Sequence, residues 1–531
     1  MAREIDLFIK GAMAYDGSGG EPVRADIGIA GDRIAFVTGP SGRGALRARH
    51  YIEAKGLSVC PGFIDTHAHS EFTLLADGRA EGKVLQGVTT EVNGNCGLSA
   101  APLYREAFSH REKDLRELEI EERWATFHEY FALLEARKPS INFATLAGHG
   151  NLRASVIGYD DRRPSGEEME SMRMLLRDAV GQGAIGLSTG LIYPPGVYAD
   201  TLELVELAKS IPDFLYASHM RSEGDALIEA IEELLRIGRE SGIAVHVSHL
   251  KTGGRANWHK IEKAIEVVDK AKQGGLRVSA DRYPYTAAST DLDAVLPSWT
   301  YAGGAEEELR RLQDGEIRAK IREEVLERHQ DAEYWDGIVI SSLNKESNKW
   351  MEGKTLSFLA EKTGKGPVEF LFDLLINERL RIGAIFHSMS EENLERFLSL
   401  PHLMIGSDSS ARSTDGPTHT GKPHPRGFGT FPRFIGRYAR DRGLMSVTEA
   451  IRRVTMLAAT TFGLKGRGQL REGFYADLVL FDEEKILDRA TFEEPFLTPE
   501  GIRSVIVNGV VAARDGAVCV PGAGRVLRHG R

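Results

Sequence analysis

The sequence predicts an α/β fold. It reads as a (β/α)8 TIM-like barrel over residues 57–469, a small β-sandwich domain built from both chain ends (1–56 and 470–531), and an inserted lid segment near 286–345. Three observations predict it. Short apolar runs alternate with helix-patterned stretches through the middle of the chain. Period-2 strand texture marks both ends. Side chains of metal-ligand type recur at the C-terminal ends of the central runs, the face where barrel enzymes place their sites.

The N-terminal texture runs through Ile5-Asp6-Leu7-Phe8-Ile9, Asp26-Ile27-Gly28-Ile29 and Arg33-Ile34-Ala35-Phe36-Val37, with Gly/Asp turns between them. It returns at Ala476 to Phe481 and at Val505 to Val511, where Asn508-Gly509 is a strong hairpin signal. Neither end is large enough to bury a core alone, so the two are expected to pack together. Central strand candidates are 57–66, 88–95, 142–148, 184–189, 213–218, 243–248, 277–283 and 402–407. Helical patterning lies between them, as at Gly166 to Val180 and Asp225 to Ser241. Two further strand-like runs, 337–340 and 382–386, exceed the count of eight, and one or both belong to the insertion. A capping box at Ser446-Val447-Thr448-Glu449 opens a closing helix through Leu457.

Composition narrows the function. The chain has 531 residues, 42% of them apolar and 27% charged, as in a soluble globular protein. A net charge of −10 and a pI near 6.0 leave no footprint for nucleic acid. No apolar run approaches the ~18 residues of a membrane span, and the first residues lack the apolar core of a signal peptide. Three cysteines make no disulfide framework and fit a reducing, cytoplasmic setting. An assembly of identical subunits is left open.

The chemistry begins at Gly62-Phe63-Ile64-Asp65-Thr66-His67-Ala68-His69. Side chains in a strand alternate faces, so Asp65, His67 and His69 point the same way. Further ligand-type residues end other strands: Cys96 in Asn93-Gly94-Asn95-Cys96-Gly97, His219, His249 and Asp408. One such residue is chance; six on five strand ends indicate a metal site, and a His/Cys/Asp set is zinc-like. Bland roles exist for each. Cys96 also suits a buried apolar position, and Asp408 also suits a helix cap. His246, a strand period off from His249, is expected to pack or face outward. His149 is expected to support the site without ligating, and His387, His419 and His424 to be loop histidines without a role.

These motifs resemble the amidohydrolase superfamily, as does the closing Gly473 to Asp482 stretch. Asn93 to Gly97, His219-Met220-Arg221-Ser222-Glu223-Gly224 and His424-Pro425-Arg426 resemble its D-aminoacylase (N-acyl-D-amino-acid deacylase) group. The resemblance implies a tight zinc on Cys96, His219 and His249, with a weaker second metal position on His67, His69 and Asp408. It makes Asp408 the catalytic proton shuttle for hydrolysis of the linear amide of a small N-acyl-D-amino acid. It also implies a substrate pocket of Lys251, Tyr283, Ser289 and Tyr193. Segment 286–301 holds no Arg or Lys, so Ala294-Val295-Leu296 and Trp299 are expected to favour an apolar or neutral substrate side chain. Competing readings are a D-dipeptidase, a hydantoinase-like cyclic-amide hydrolase and a metal-free scaffold. The Cys96 motif disfavours the second and the complete donor set the third.

Overall fold

Pro61-Gly62 divides what the sequence presents as one strand over 57–66. In the computed structural model, which describes residues 4–39 and 47–529, Ser58–Pro61 pairs antiparallel with Leu478–Phe481. Phe63–Asp65 pairs parallel with Val88–Asn93. A Cβ at Gly62 would lie 2.1 Å from Thr89 Oγ1, so the crossover between sheets needs glycine.

The two chain ends hydrogen-bond into one continuous nine-stranded sheet. The reason is the pairing just described: Leu478–Phe481 extends the N-terminal ladder edge to edge through Val59 and Cys60. Leu7, Ile9, Ile27 and Ile29 share one core with Leu478 and Leu480, while Ile5, Phe8 and Phe36 form a smaller one. Asn508 (φ 48°) and Gly509 (φ 82°) make the tight turn from Val507 to Val510.

The central strands are parallel. Phe63–Asp65, Val88–Asn93 and Asn142–Thr145 form one sheet; Ala147–Gly148, Gly186–Gly190, Leu215–His219, Ala244–Val247, Val278–Arg282 and Leu403–Ile405 form another. Leu146 interrupts the expected 142–148 strand, but its N–H still donates to Asn93 O at 2.9 Å. At the outer edges, Thr66 N donates to Ile405 O (3.4 Å) and Asp408 N to His67 O (2.8 Å). Ile64, Val92, Ala144, Leu146, Ile185, Leu215, Ala217 and Met404 make one buried cluster between the strands, covered by Phe462 and Leu464.

Surrounding helices begin where the sequence supplies caps. Ser165–Glu168 forms a reciprocal capping box ahead of Gly166–Gln182, and Gly242 (φ 78°) ends Leu227–Ser241. At Ser446 only half the expected box forms, because Glu449 turns to Arg452 and Arg453. That helix stops at Val454, and Thr455 (φ −132°, ψ −93°) separates it from Met456–Thr461.

Both surplus strands belong to the insertion, which therefore runs past 345 to His387. Ala287–Asp291, Ile382–His387 and Ile338–Leu343 make an antiparallel sheet with its own apolar core. Val295 and Leu296 lie inside that core, and Trp299 rests on it with Nε1 donating to Glu324. Of the expected apolar pocket wall, Ala294 alone is exposed. No helix among the described residues is long and apolar enough to cross a membrane.

Candidate metal centre

The six donors sit at or just beyond the C-terminal ends of five parallel strands. The structure brings them together as two interlocking sets, each with its donor atoms within 4.8 Å of one another: His67, His69, Cys96 and Asp408, and Cys96, His219 and His249. Cys96 belongs to both. Its Sγ is 3.3 Å from His67 Nε2 and 3.5 Å from His249 Nε2. Asp408 Oδ1 is 3.2 Å from His69 Nε2 and 3.5 Å from His67 Nε2.

Three of the six hold left-handed backbone conformations: Cys96 (φ 54°), His249 (φ 36°) and Asp408 (φ 52°). Such conformations cost energy in non-glycine residues and concentrate at functional sites. The turns at His249 and Asp408 are braced from outside. Asp281 Oδ1 accepts from His249 N at 2.6 Å, and Asp65 Oδ1 accepts from Ser407 N at 2.8 Å.

Sequence reasoning missed the carboxylates behind the histidines. With His249 Nε2 turned toward Cys96, its Nδ1 lies 2.8 Å from both Glu223 Oε1 and Lys251 Nζ. His67 Nδ1 likewise faces Asp281 Oδ2 at 3.5 Å. A buried carboxylate on the far imidazole nitrogen is the usual companion of a metal-binding histidine. Burial would raise both acids, but Lys251, His219 and His249 hold Glu223 well below the carboxylate range, and His246 and His67 do the same for Asp281.

The donors fit a cation. His219 is 4% exposed, yet among the described residues neither ring nitrogen has a hydrogen-bond partner. Burial pushes His219 and His249 downward, which keeps them as neutral ligand imidazoles. Burial, followed by the charge of Asp408, pushes the Cys96 thiol well up. A dication at the shared position would reverse that and stabilise the thiolate.

The expected pocket residues ring this centre. Tyr193 stacks edge-on to His219 with centroids 5.0 Å apart, and its hydroxyl lies 2.9 Å from Thr290 Oγ1. The Tyr283 hydroxyl is buried without a hydrogen-bond partner among the described residues. Lys251 is not a solvated strand-end lysine: it is 4% exposed and ion-paired to Glu223. Ser289 is half-buried, and its carbonyl accepts from Arg426 Nη2 at 3.3 Å. Arg426 also sits over the Tyr283 ring at 4.6 Å, and its Nη1 lies 2.9 Å from Asp408 Oδ2. Burial would raise Asp408, but Arg426 and His67 hold it well below its usual range.

Other histidines sort themselves. His246 is buried and bonded to Asp281 at 3.0 Å; His149 is buried against Glu203 at 2.8 Å. His387 and His419 stay near the surface against Phe492 and Phe496. His424, expected to be without a role, is buried: its ring donates to Ala287 O at 3.0 Å and accepts from Arg426 N at 3.0 Å. The His-Pro-Arg turn thus ties the insertion to Arg426. Beneath the site lies Lys83, whose burial the sequence does not announce. Its ammonium is 2.8 Å from Asp65 Oδ2 and 2.7 Å from Glu91 Oε1.

Comparison with known proteins agrees with this geometry. The model of the Amidohydrolase family matches residues 50–513. A D-aminoacylase of Alcaligenes xylosoxydans xylosoxydans is 37% identical over 528 residues, covering 99% of this chain and 98% of that protein. Two solved structures superpose with a TM-score of 0.83 at 35% identity, each over 99% of this chain and all of the other. One is a D-aminoacylase described by its binuclear metal center, with one-metal activation and second-metal attenuation. The other is an N-acyl-D-glutamate deacylase from Bordetella bronchiseptica, complexed with zinc and a phosphonate that mimics the tetrahedral intermediate. This chain belongs to the amidohydrolase family, in its D-aminoacylase branch.

Proposed function

We propose that the chain is a zinc-dependent amidohydrolase that cleaves N-acyl-D-amino acids to a carboxylate and a free D-amino acid. The observation that carries this reading is the pair of donor sets sharing Cys96. Cys96, His219 and His249 would hold the tight zinc, and His67, His69 and Asp408 a weaker second position. Bound zinc lowers the pKa of water toward ~7 and polarises an amide carbonyl. Asp408 takes the proton of the attacking water and returns it to the departing amine. The Asp408–Arg426 pair must loosen for this, and the substrate α-carboxylate, seated among Arg426, Lys251 and the Tyr283 hydroxyl, is the anion that would draw Arg426 away. Tyr193 and Ser289 line the same recess. The two central sheets would close into the (β/α)8 barrel, its rim carrying the site. The domain limits follow the crossover at Pro61-Gly62 and the strand at Leu478–Phe481. Free Cys60, Cys96 and Cys519 suit a cytoplasmic setting.

Neutral or apolar substrate side chains fit best. Arg221 pairs with Glu233 and Arg426 faces Asp408, while Arg412 donates to the carbonyls of Thr418 and Thr420 and the buried Arg282 to Tyr285 O, neither with a carboxylate partner among the described residues. A second substrate carboxylate that reached neither Arg282 nor Arg412 would be buried without a counter-charge, at several kcal/mol. The test compares kcat/KM for N-acetyl-D-leucine, N-acetyl-D-glutamate, N-acetyl-L-leucine and L-alanyl-D-leucine, with zinc content measured in wild type and Cys96→Ala. D-leucine should lead and Cys96→Ala should lose metal and turnover together. A preference for the L-enantiomer, or full zinc occupancy in Cys96→Ala, would overturn the reading. A lead for L-alanyl-D-leucine would favour the dipeptidase reading.

A further inference from the structure

The turn carrying Cys96 is held by two buried groups that touch no donor atom. Ser188, in the strand Gly186–Gly190, spans the turn: its hydroxyl donates to Gly94 O and accepts from Gly97 N at 3.1 Å. Glu71 grips the same turn from the other side, with Oε1 accepting from Gly94 N at 2.6 Å. Ser188 is fully buried and Glu71 is 4% exposed. The flanking positions leave no room for a side chain. A Cβ on Gly94 would lie 2.1 Å from Leu146 O, and one on Gly97 would lie 2.6 Å from Gly190 N. Both glycines have positive φ (73° and 74°), with Cys96 left-handed between them.

The grip also ties Cys96 to its partners in the His67, His69 and Asp408 set. Glu71 lies two residues beyond His69, and the intervening Ser70 N donates to Asn93 Oδ1 at 2.7 Å. Ser70 Oγ in turn accepts from Ala411 N at 2.7 Å, beyond Asp408. The segments carrying His69, Cys96 and Asp408 are therefore bonded to one another apart from any metal.

We propose that Ser188 and Glu71 are positioning residues: they hold Cys96 in its left-handed conformation so that Sγ stands where both donor sets meet. The proposal rests on the reading of Cys96 as a metal ligand. Without Ser188 both ends of the turn lose a buried partner, and relaxation of Cys96 toward ordinary φ would swing the sulfur off the shared position. Partners that orient ligands carry about 10–100-fold in metal affinity.

The experiment measures zinc affinity by chelator competition, and the thiolate-to-metal charge-transfer band of the cobalt-loaded protein, in wild type, Ser188→Ala, Glu71→Ala, Glu71→Gln and Cys96→Ala. The expectation is ~10–100-fold weaker zinc binding and a diminished band in both alanine variants that position Cys96. Glu71→Gln, whose amide oxygen can still accept from Gly94 N, should recover most of the affinity and the band. Affinity and band matching wild type in Ser188→Ala and Glu71→Ala would overturn the proposal. So would a lowered melting temperature of the metal-free protein with the band intact. If Cys96→Ala itself keeps the band and wild-type affinity, the ligand assignment fails, which separates that failure from failure of the positioning role.

Discussion

Replacing Lys83 by methionine would remove the ammonium from a fully buried ionic cluster. Lys83 Nζ lies 2.8 Å from Asp65 Oδ2, 2.7 Å from Glu91 Oε1, 2.8 Å from Ser407 Oγ and 3.0 Å from Ser409 O. Lys83, Asp65 and Glu91 each have no exposed surface. Burial alone would lower the Lys83 ammonium, but the charges of Asp65 and Glu91 hold it above its usual range. Methionine fills similar volume while leaving two carboxylates uncompensated, and breaking a buried pair in this way costs about 3–5 kcal/mol. Against the ~5–15 kcal/mol that separates folded from unfolded chains, that is a large share. Glu91, already raised by burial, should take up a proton first. The assay is the urea midpoint of the metal-free protein in Lys83→Met, Lys83→Met/Glu91→Gln and the triple variant adding Asp65→Asn. Stability should fall by about 3–5 kcal/mol in the single variant and recover stepwise as each carboxylate is neutralised. A loss under ~1 kcal/mol, within the range of exposed ion pairs, or no recovery on neutralisation, would refute the reasoning. Activity should fall with it, because Asp65 is what accepts from Ser407 N beside Asp408.

Asp408→Asn should keep the tight zinc and lose at least ~10²-fold in kcat, the lower end of general acid–base contributions; near-normal turnover would return Asp408 to a structural role. A pH dependence follows from two carboxyls of the insertion. Burial and Asp291 push Asp293 up to about 8, and burial and Asp293 push Glu308 up to about 9. The folded chain therefore binds more protons there than the unfolded chain, so stability falls as pH rises from roughly 5 through 8–9. Glu308→Gln should flatten that decline in a melting-temperature series, and an unchanged slope would count against it.

The six donors were legible because each ends or follows a strand, and in a parallel sheet the strand ends share one edge whatever the intervening helices do. What lies behind them was not legible. Glu223 is visible in the sequence, but its partnership with His249 depends on how two neighbouring strands are aligned. Ser188 and Lys83 sit in ordinary strand and helix patterns and acquire their roles only through contacts distant in sequence. The insertion was misjudged for a related reason. Val295 and Leu296 read as a pocket wall because nothing local shows that Ile382–His387, far along the chain, completes a core beneath them. Pro61-Gly62 carried the right signal, a break, but only the pairing shows that its two sides join different sheets.

The junction of Ser58–Pro61 with Leu478–Phe481 has a consequence for biosynthesis. During translation the first of these strands leaves the ribosome more than four hundred residues before its partner. At roughly 5–20 residues per second the wait is on the order of 20–80 s. Throughout it, Val59 and Cys60, both fully buried in the finished protein, lie on an open strand edge of the kind that recruits other chains. The central strands can assemble meanwhile, since most of them pair with near neighbours in sequence. Chains that terminate before Leu478 would keep that edge open permanently, and aggregation of nascent or truncated product is where the cost of joining the two ends would first be seen.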